Sequence, residues 1–140
     1  MTERPDIPIL ASVGPLARTS QAWISDIWGV VHNGRAAFPA AAEACRRFRR
    51  QGGTVVLVSN APQRATWVEA MLARLDVPRD AWDSIVTSGD VTRGLIAPYA
   101  GQTVYHLGPD YDRGIFEGLD VTLGPLERAR AVVCTGLFED

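Results

Sequence analysis

Short apolar runs and helical stripes alternate along the first hundred residues. Residues 22 to 27 (Ala22-Trp23-Ile24-Ser25-Asp26-Ile27) read as a buried strand, followed by glycine-bearing turns at Gly29 and at Asn33-Gly34. Pro39 suits the first turn of a helix, where its missing N–H costs nothing. Within that helix Ala41, Ala44, Cys45 and Phe48 fall at i, i+3, i+4 and i+7 and predict one apolar stripe, with Glu43 and the arginines opposite. Gly52-Gly53 is a stop of the kind that ends helices. Thr54-Val55-Val56-Leu57-Val58 is β-branched and apolar on both faces, which predicts a central parallel strand. A second helix is expected from Pro62, buried along Val68, Met71, Leu72 and Leu75. Ile85-Val86-Thr87 predicts a third strand, and Ser88 a cap for a helix from about Gly89 to Ala97.

The texture then changes. Pro98 to Gly101 reads as a linker, and shorter elements follow: strands at Thr103–Leu107, Val121–Leu123 and Arg130–Cys134, and a short helix at Tyr111–Phe116. No closing helix is expected at Leu137-Phe138-Glu139-Asp140, and residues 1 to 20 read as a lead-in broken by Pro5, Pro8 and Pro15. Strand and helix in alternation predict an α/β fold: a Rossmann-like parallel sheet with helices on both faces. The predicted organisation is an incomplete core over residues 1–98 and the first part of an α/β cap over 99–140. Each unit is small for independent stability, so the chain reads as an N-terminal fragment.

Composition narrows the function classes. The chain is 46% hydrophobic and 21% charged, which fits a globular domain rather than a disordered one. Its formal net charge of −2 gives no basic excess for nucleic acid or an anionic membrane surface. The run Arg46, Arg47, Arg49, Arg50 sits on one helix and reads as a solvated face. Cys45 and Cys134 stand far apart in no metal-ligand spacing and read as small core residues in a reducing compartment. Arg4, Asp6, Arg18 and Asp26 interrupt every early apolar run, and no stretch approaches a membrane span. Cytoplasm is the expected location.

In open parallel sheets ligands sit at the carboxyl ends of the strands, so the residues that end strands carry the chemistry. The first strand ends on Asp26 and the second on Ser59-Asn60. A carboxylate there can attack phosphorus and form an aspartyl-phosphate. A hydroxyl and an amide beside it can hydrogen-bond phosphoryl oxygens, and the N–H groups of the following loop add to the site. Either strand end alone is equally well a turn or cap residue; the two together across one βαβ unit are more specific.

Asp26-Ile27-Trp28-Gly29-Val30-Val31 resembles the first motif of the haloacid dehalogenase superfamily, and Val55-Val56-Leu57-Val58-Ser59-Asn60 resembles the second. Ile85-Val86-Thr87-Ser88-Gly89-Asp90-Val91-Thr92 is similar to the third core segment of its class IIA branch, which includes sugar, nucleotide and pyridoxal phosphatases and inserts a cap after this point. A bacterial subgroup of that branch carries D-x-W-G-V-x-H-N-G and a later H-L-G-P, present here as His106-Leu107-Gly108-Pro109. The resemblance implies a Mg²⁺-dependent phosphatase acting on a small phosphorylated metabolite. It implies Asp26 as nucleophile and Mg²⁺ ligand, the Trp28 main-chain carbonyl as a second ligand, and Ser59 with Asn60 on the transferring phosphoryl group. Gly29 would permit the turn into a flap over the phosphate site, with His32-Asn33-Gly34 in that flap.

One departure stands out. The family's phosphatases carry a second Asp two residues after the nucleophile, as general acid and then base. Here that residue is Trp28, which cannot transfer a proton. Three readings stay open: substrates whose leaving group needs no proton, a proton from another group with His32 the nearby candidate, or a non-catalytic protein that binds a phosphorylated ligand. A receiver-type signalling domain fits less well, because Gly29 follows Asp26 by three and no acidic partner is placed for it. The family's lysine and its later acidic Mg²⁺ ligands are not in this chain, whose basic residues are all arginine. The remaining chemistry-bearing residues have bland readings. His106 is structural, Trp67 and Trp82 pack at a helix and loop surface, Asp110 and Asp112 are turn and N-cap residues, and Asp80 and Asp83 belong to a loop.

Overall fold

A computed structural model describes residues 9–136; the predictions for Leu137–Asp140 and for Pro5 and Pro8 lie outside the described residues. The first strand is β1 (Ala22–Asp26), after a one-turn helix α1 (Gly14–Ala17). Then follow α2 (Pro39–Arg50), β2 (Thr54–Ser59), α3 (Ala65–Arg74), β3 (Ser84–Thr87) and α4 (Ser88–Ile96). β1, β2 and β3 form one parallel sheet in that order, so the apolar-on-both-faces β2 is central, as its composition predicts. A second parallel sheet is built from β4 (Gln102–Leu107), β5 (Val121–Leu123) and β6 (Ala131–Cys134), with β4 in the middle.

The first core lies on one face of the first sheet. Val55 and Leu57 of β2 point into it and meet Ala42, Cys45 and Phe48 of α2 and Val68 and Leu72 of α3. Phe48 lies flat on Trp23 of β1, ring centroids 4.1 Å apart and planes within 4°, and this stack sets the roll of α2. That roll makes Ala42, rather than Ala41 or Ala44, the third buried position of the stripe. The backbone of α2 closes on Gly52 at φ +90, a left-handed stop that favours glycine. The second core gathers Ile96, Val104, Ile115, Phe116 and Val133 between α4 and the second sheet.

The opposite face of the first sheet is largely open among the described residues; the start of α4, at Ser88, Val91 and Thr92, borders it beside Val58 and Val86. Ile24 is 79% exposed there, and Val58 and Val86 beside it are exposed too. Val91 and Leu95 on α4 are likewise exposed. Helices α2 and α3 cover one face, and α4 reaches only the border of the other, so the second helical layer is partial among the described residues.

Several local expectations shift. α3 begins at Ala65 rather than at Pro62, because the chain from Asn60 to Arg64 is held as a loop by contacts described below. The cap of α4 is Thr87, not Ser88: its hydroxyl accepts the Asp90 N–H at 3.0 Å. The predicted linker is partly a 3-10 turn, Ala97–Tyr99, with Tyr99 packed on the second core. Trp82 is a core residue rather than a surface one, sealed beneath the Arg79 guanidinium 5.1 Å from its ring. Cys45 is buried as expected, while Cys134 is exposed at the end of β6. The arginine face of α2 is solvated but engaged. Arg47 and Arg50 pair with Glu43, Arg46 bridges Glu43 and Asp80, and Arg49 clasps Asp83. Asp83 also accepts the Val55 N–H at 2.7 Å, so this loop residue fastens α2 to the start of β2. No helix among the described residues is long and apolar enough to cross a membrane.

Candidate active site

Parallel pairing brings the two strand-end residues together. Asp26 stands opposite Val58, and Ser59 follows one residue further along the neighbouring strand. The strands are adjacent, as the βαβ spacing predicts, although β1 lies at the edge of the described sheet rather than at its centre. Asp26 is exposed, with one carboxylate oxygen accepting the Ile27 N–H at 2.6 Å. The Ser59 hydroxyl accepts the Ala61 N–H at 3.1 Å, which leaves its own O–H to donate outward. Asn60 is exposed at the start of the loop that follows.

The loop after β1 holds itself. Gly29 sits at φ +75, where a side chain is strained, and its N–H donates to the His32 carbonyl at 2.7 Å. The Val31 N–H returns to Ile27, and the Phe38 N–H to Val31. Asn33 closes the tip, its Oδ1 accepting from Arg35 and Ala36 at 3.0 and 2.9 Å. His32 is 1% exposed and its Nδ1 accepts the Gly34 N–H at 2.8 Å. That bond puts the single proton of the neutral ring on Nε2. Desolvation by burial pushes its pKa below the ordinary value, so the neutral form is favoured. His32, the candidate proton donor of the flap, is therefore a buried fixture of that loop. Trp28 packs edge-to-face on it, centroids 5.4 Å apart, yet remains 65% exposed.

The loop after β2 is held by its neighbours. Its Ala61 carbonyl accepts the Gly89 N–H at 3.1 Å. A Cβ on Gly89 would collide with the Gln63 backbone, so only glycine lets α4 approach this closely. The Asp90 carboxylate accepts the Ala65 N–H at 2.7 Å. It thereby caps the first turn of α3, whose own preceding residue, Arg64, makes no side-chain cap. Gln63 reaches the second sheet's unit through a 2.7 Å bond to Asp112, a carboxylate only 2% exposed. Asp112 is thus a buried anchor, not a turn or N-cap residue. His106 is structural as expected: Nε2 shares a 2.8 Å hydrogen bond with Thr135, and the ring meets Phe116 edge-on.

Gly89, Asp90, Gln63 and Asp112 have positioning roles that the motifs did not single out. For Asp90 a signal existed, since Thr87-x-x-Asp90 has the spacing of a capping box. The threonine does cap, while the aspartate turns to a different helix. Nothing local marks Gln63 and Asp112 as partners, because 49 residues separate them.

For a metal, the chain offers hard oxygen donors: the Asp26 carboxylate and the Trp28 main-chain carbonyl two residues on. Among the described residues no group of three or more His, Cys, Asp or Glu side chains comes together. Such a set suits Mg²⁺, which prefers oxygen and keeps several waters or substrate oxygens in its shell.

A family profile for haloacid dehalogenase-like hydrolases matches residues 23–122. A haloacid dehalogenase-like hydrolase from Brucella suis is 43% identical over 94% of this chain, with a TM-score of 0.84; the chain spans 51% of that protein's length. The glycerol phosphate phosphatase of Mycobacterium tuberculosis, solved with magnesium, shares the fold at 23% identity and a TM-score of 0.65, over 86% of this chain and 37% of its own. So does a p-nitrophenyl phosphatase from Archaeoglobus fulgidus, at 21% and 0.62, over 80% of this chain and 43% of its own. No curated protein sequence matches the chain. With its strand-end aspartate and serine set on adjacent strands and the profile spanning most of its length, the chain belongs to the haloacid dehalogenase-like hydrolase family.

Proposed function

We propose that the protein hydrolyses a small phosphorylated metabolite through an aspartyl-phosphate on Asp26. The observation that carries this reading is the register of β1 and β2, which ends both strands at the same edge of the sheet, with Asp26 opposite Val58 and Ser59 one residue further on. An Asp26 oxygen forms a bond to phosphorus as the ester P–O bond breaks, and the leaving oxygen departs with the bonding pair. Water then attacks the same phosphorus, returning the carboxylate and releasing inorganic phosphate. The Ser59 O–H donates to a phosphoryl oxygen, and the Asn60 amide is the second donor. Gly29 contributes the turn that brings the flap over the phosphate. Mg²⁺, held by Asp26 and the Trp28 carbonyl, would offset the charge of the phosphoryl oxygens. The second sheet is the start of a cap that shields the site from bulk water.

Neither nearby aromatic side chain supplies the missing proton. The Trp28 indole N–H is far too weak an acid, and burial favours the neutral form of His32, whose Nδ1 is already committed to Gly34. General acid help is worth roughly 10²–10⁴ in rate, so leaving groups that depart without a proton are favoured strongly over alkoxides. The 140 residues span about half of the Brucella relative and contain no lysine, so they are expected to bind but not turn over an ester alone. The same Trp28 supports a second reading, a phosphate-ligand-binding protein without turnover.

The test is kcat/KM across a series of aryl and alkyl phosphates, measured on the full-length gene product and its Asp26→Asn variant with Mg²⁺ and pH fixed. A steep dependence on leaving-group acidity, abolished in the variant, is expected. A flat dependence would mean another group is the acid. Tight phosphate binding with no turnover of any ester would favour the second reading.

A further inference from the structure

Between the flap and α3 lies a cavity of about 210 Å³ whose walls are nearly all apolar. The indoles of Trp28 and Trp67, the Met71 thioether, Ile27 and Val68 line it, and Ser59 stands at its edge. We propose that this cavity receives the aromatic ring of a phosphate ester, held against Trp28 and Trp67 while its phosphoryl group lies at Asp26 and Ser59. The proposal rests on the phosphatase reading and narrows its substrate to aryl esters.

Four observations carry it. The first is size: an engineered apolar cavity of about 150 Å³ holds benzene, so about 210 Å³ admits one substituted six-membered ring. The second is exposure of costly surface: Trp28 is 65% and Trp67 49% exposed, although both line a concave site where a ring would cover them. The third is rigidity. A Cβ on Gly34 would lie 2.5 Å from the Trp28 ring, so the glycine is what lets the indole lie against the flap. On another side the ring rests on His32, itself pinned by the Gly34 N–H. Trp28 is thus a fixed wall, and a fixed wall loses little freedom when a ligand stacks on it. The fourth is position: Ser59 belongs both to this cavity and to the strand-end site, one residue beyond the partner of Asp26. An alkyl or sugar group would leave the indole faces poorly covered and its hydroxyls facing carbon. A planar ring meets them by offset or edge-to-face stacking.

The experiment follows the indole N–H signals of Trp23, Trp28, Trp67 and Trp82 by NMR in this chain, assigned with single Trp→Phe variants. Phenol is titrated first, then phenyl phosphate and propyl phosphate with Mg²⁺. Phenol and phenyl phosphate should move the Trp28 and Trp67 signals and leave those of buried Trp82 and stacked Trp23 in place; propyl phosphate should not. Trp67→Ala should weaken phenyl phosphate binding roughly three- to tenfold, and Trp67→Phe should restore most of it. Gly34→Ala should displace Trp28 and weaken ring binding with the Trp67 signal unchanged in the free protein. Equal responses to propyl and phenyl phosphate, or no response of either indole to phenol, would overturn the proposal. The two readings fail separately. Phenol binding that persists while fluoroberyllate with Mg²⁺ shifts no amide at Asp26 or Ser59 would sustain the ring site and sink the phosphatase reading. Fluoroberyllate shifts abolished in Asp26→Asn, with ester binding indifferent to the ring, would do the reverse.

Discussion

The loops that follow β1 and β2 both border the strand-end site, yet they are built on opposite plans. The first closes on itself: Gly29 on His32, Val31 on Ile27, Asn33 on Arg35 and Ala36, His32 on Gly34. The second makes almost no bonds of its own beyond Ser59 to Ala61, and borrows Gly89, Asp90 and Asp112 from later in the chain. A self-held loop keeps its shape through motions of the rest of the molecule. A borrowed loop reports them. The loop after Asp26 therefore holds Trp28 against His32 from within, while the loop after Ser59 is set by α4 and by Asp112 of the second sheet's unit.

The largest effect separating the two plans is expected from Gly89→Val. Its branched side chain has no room beside the Gln63 backbone, so the β2 loop must move. A loss of about 1–3 kcal/mol in stability is expected, read by denaturant unfolding. Amide shifts should concentrate at residues 59–65 and spare residues 27–37. Asp90→Ala removes the carboxylate that caps Ala65 and should cost about 1 kcal/mol. Hydrogen exchange at the first turn of α3 should rise while the flap stays protected.

Acid should act on the flap instead. Burial lowers the His32 pKa from its ordinary 6.5, so the unfolded chain holds the proton more tightly than the folded one. The stability this gives is present above about pH 6.5 and is lost as pH falls through the lower folded value. His106 shifts the same way, again mainly by burial. Urea midpoints should therefore fall between neutral pH and the acid range, and a His32→Gln variant should show a shallower slope. The smallest effect belongs to Arg47→Ala. Its exposed pair with Glu43 should be worth nothing measurable in Tm, because solvent screens it and Arg50 still holds the same carboxylate.

What the sequence made legible follows from range. Period and punctuation are local, so the strands and most helix limits could be read from Pro39, Gly52 and the β-branched runs. Strand-end residues were equally legible, because parallel sheets use those ends. What failed was long-range or rotational. Ala42 replaced Ala41 and Ala44 because Phe48 stacks on Trp23, a contact no helical period contains. Pro62 did not open α3, because Gly89 and Asp90 hold residues around it as a loop. The burial of His32 in its flap could not be read either, since it comes from the loop folding over its own imidazole. The open sheet face marked by Ile24 and Val86 was invisible as well, because an apolar strand reads alike whether or not a helix covers it.

The most direct measurement bears on Asp26 and Ser59 as one site. Fluoroberyllate with Mg²⁺ caps a nucleophilic carboxylate as a phosphoryl group does, and ¹⁵N NMR reads where it lands on this chain. The amides of Ile27, Trp28, Ser59, Asn60 and Ala61 should shift together, and every one of those shifts should vanish in Asp26→Asn. Shifts confined to one strand end, or persisting in the variant, would contradict a shared phosphoryl site.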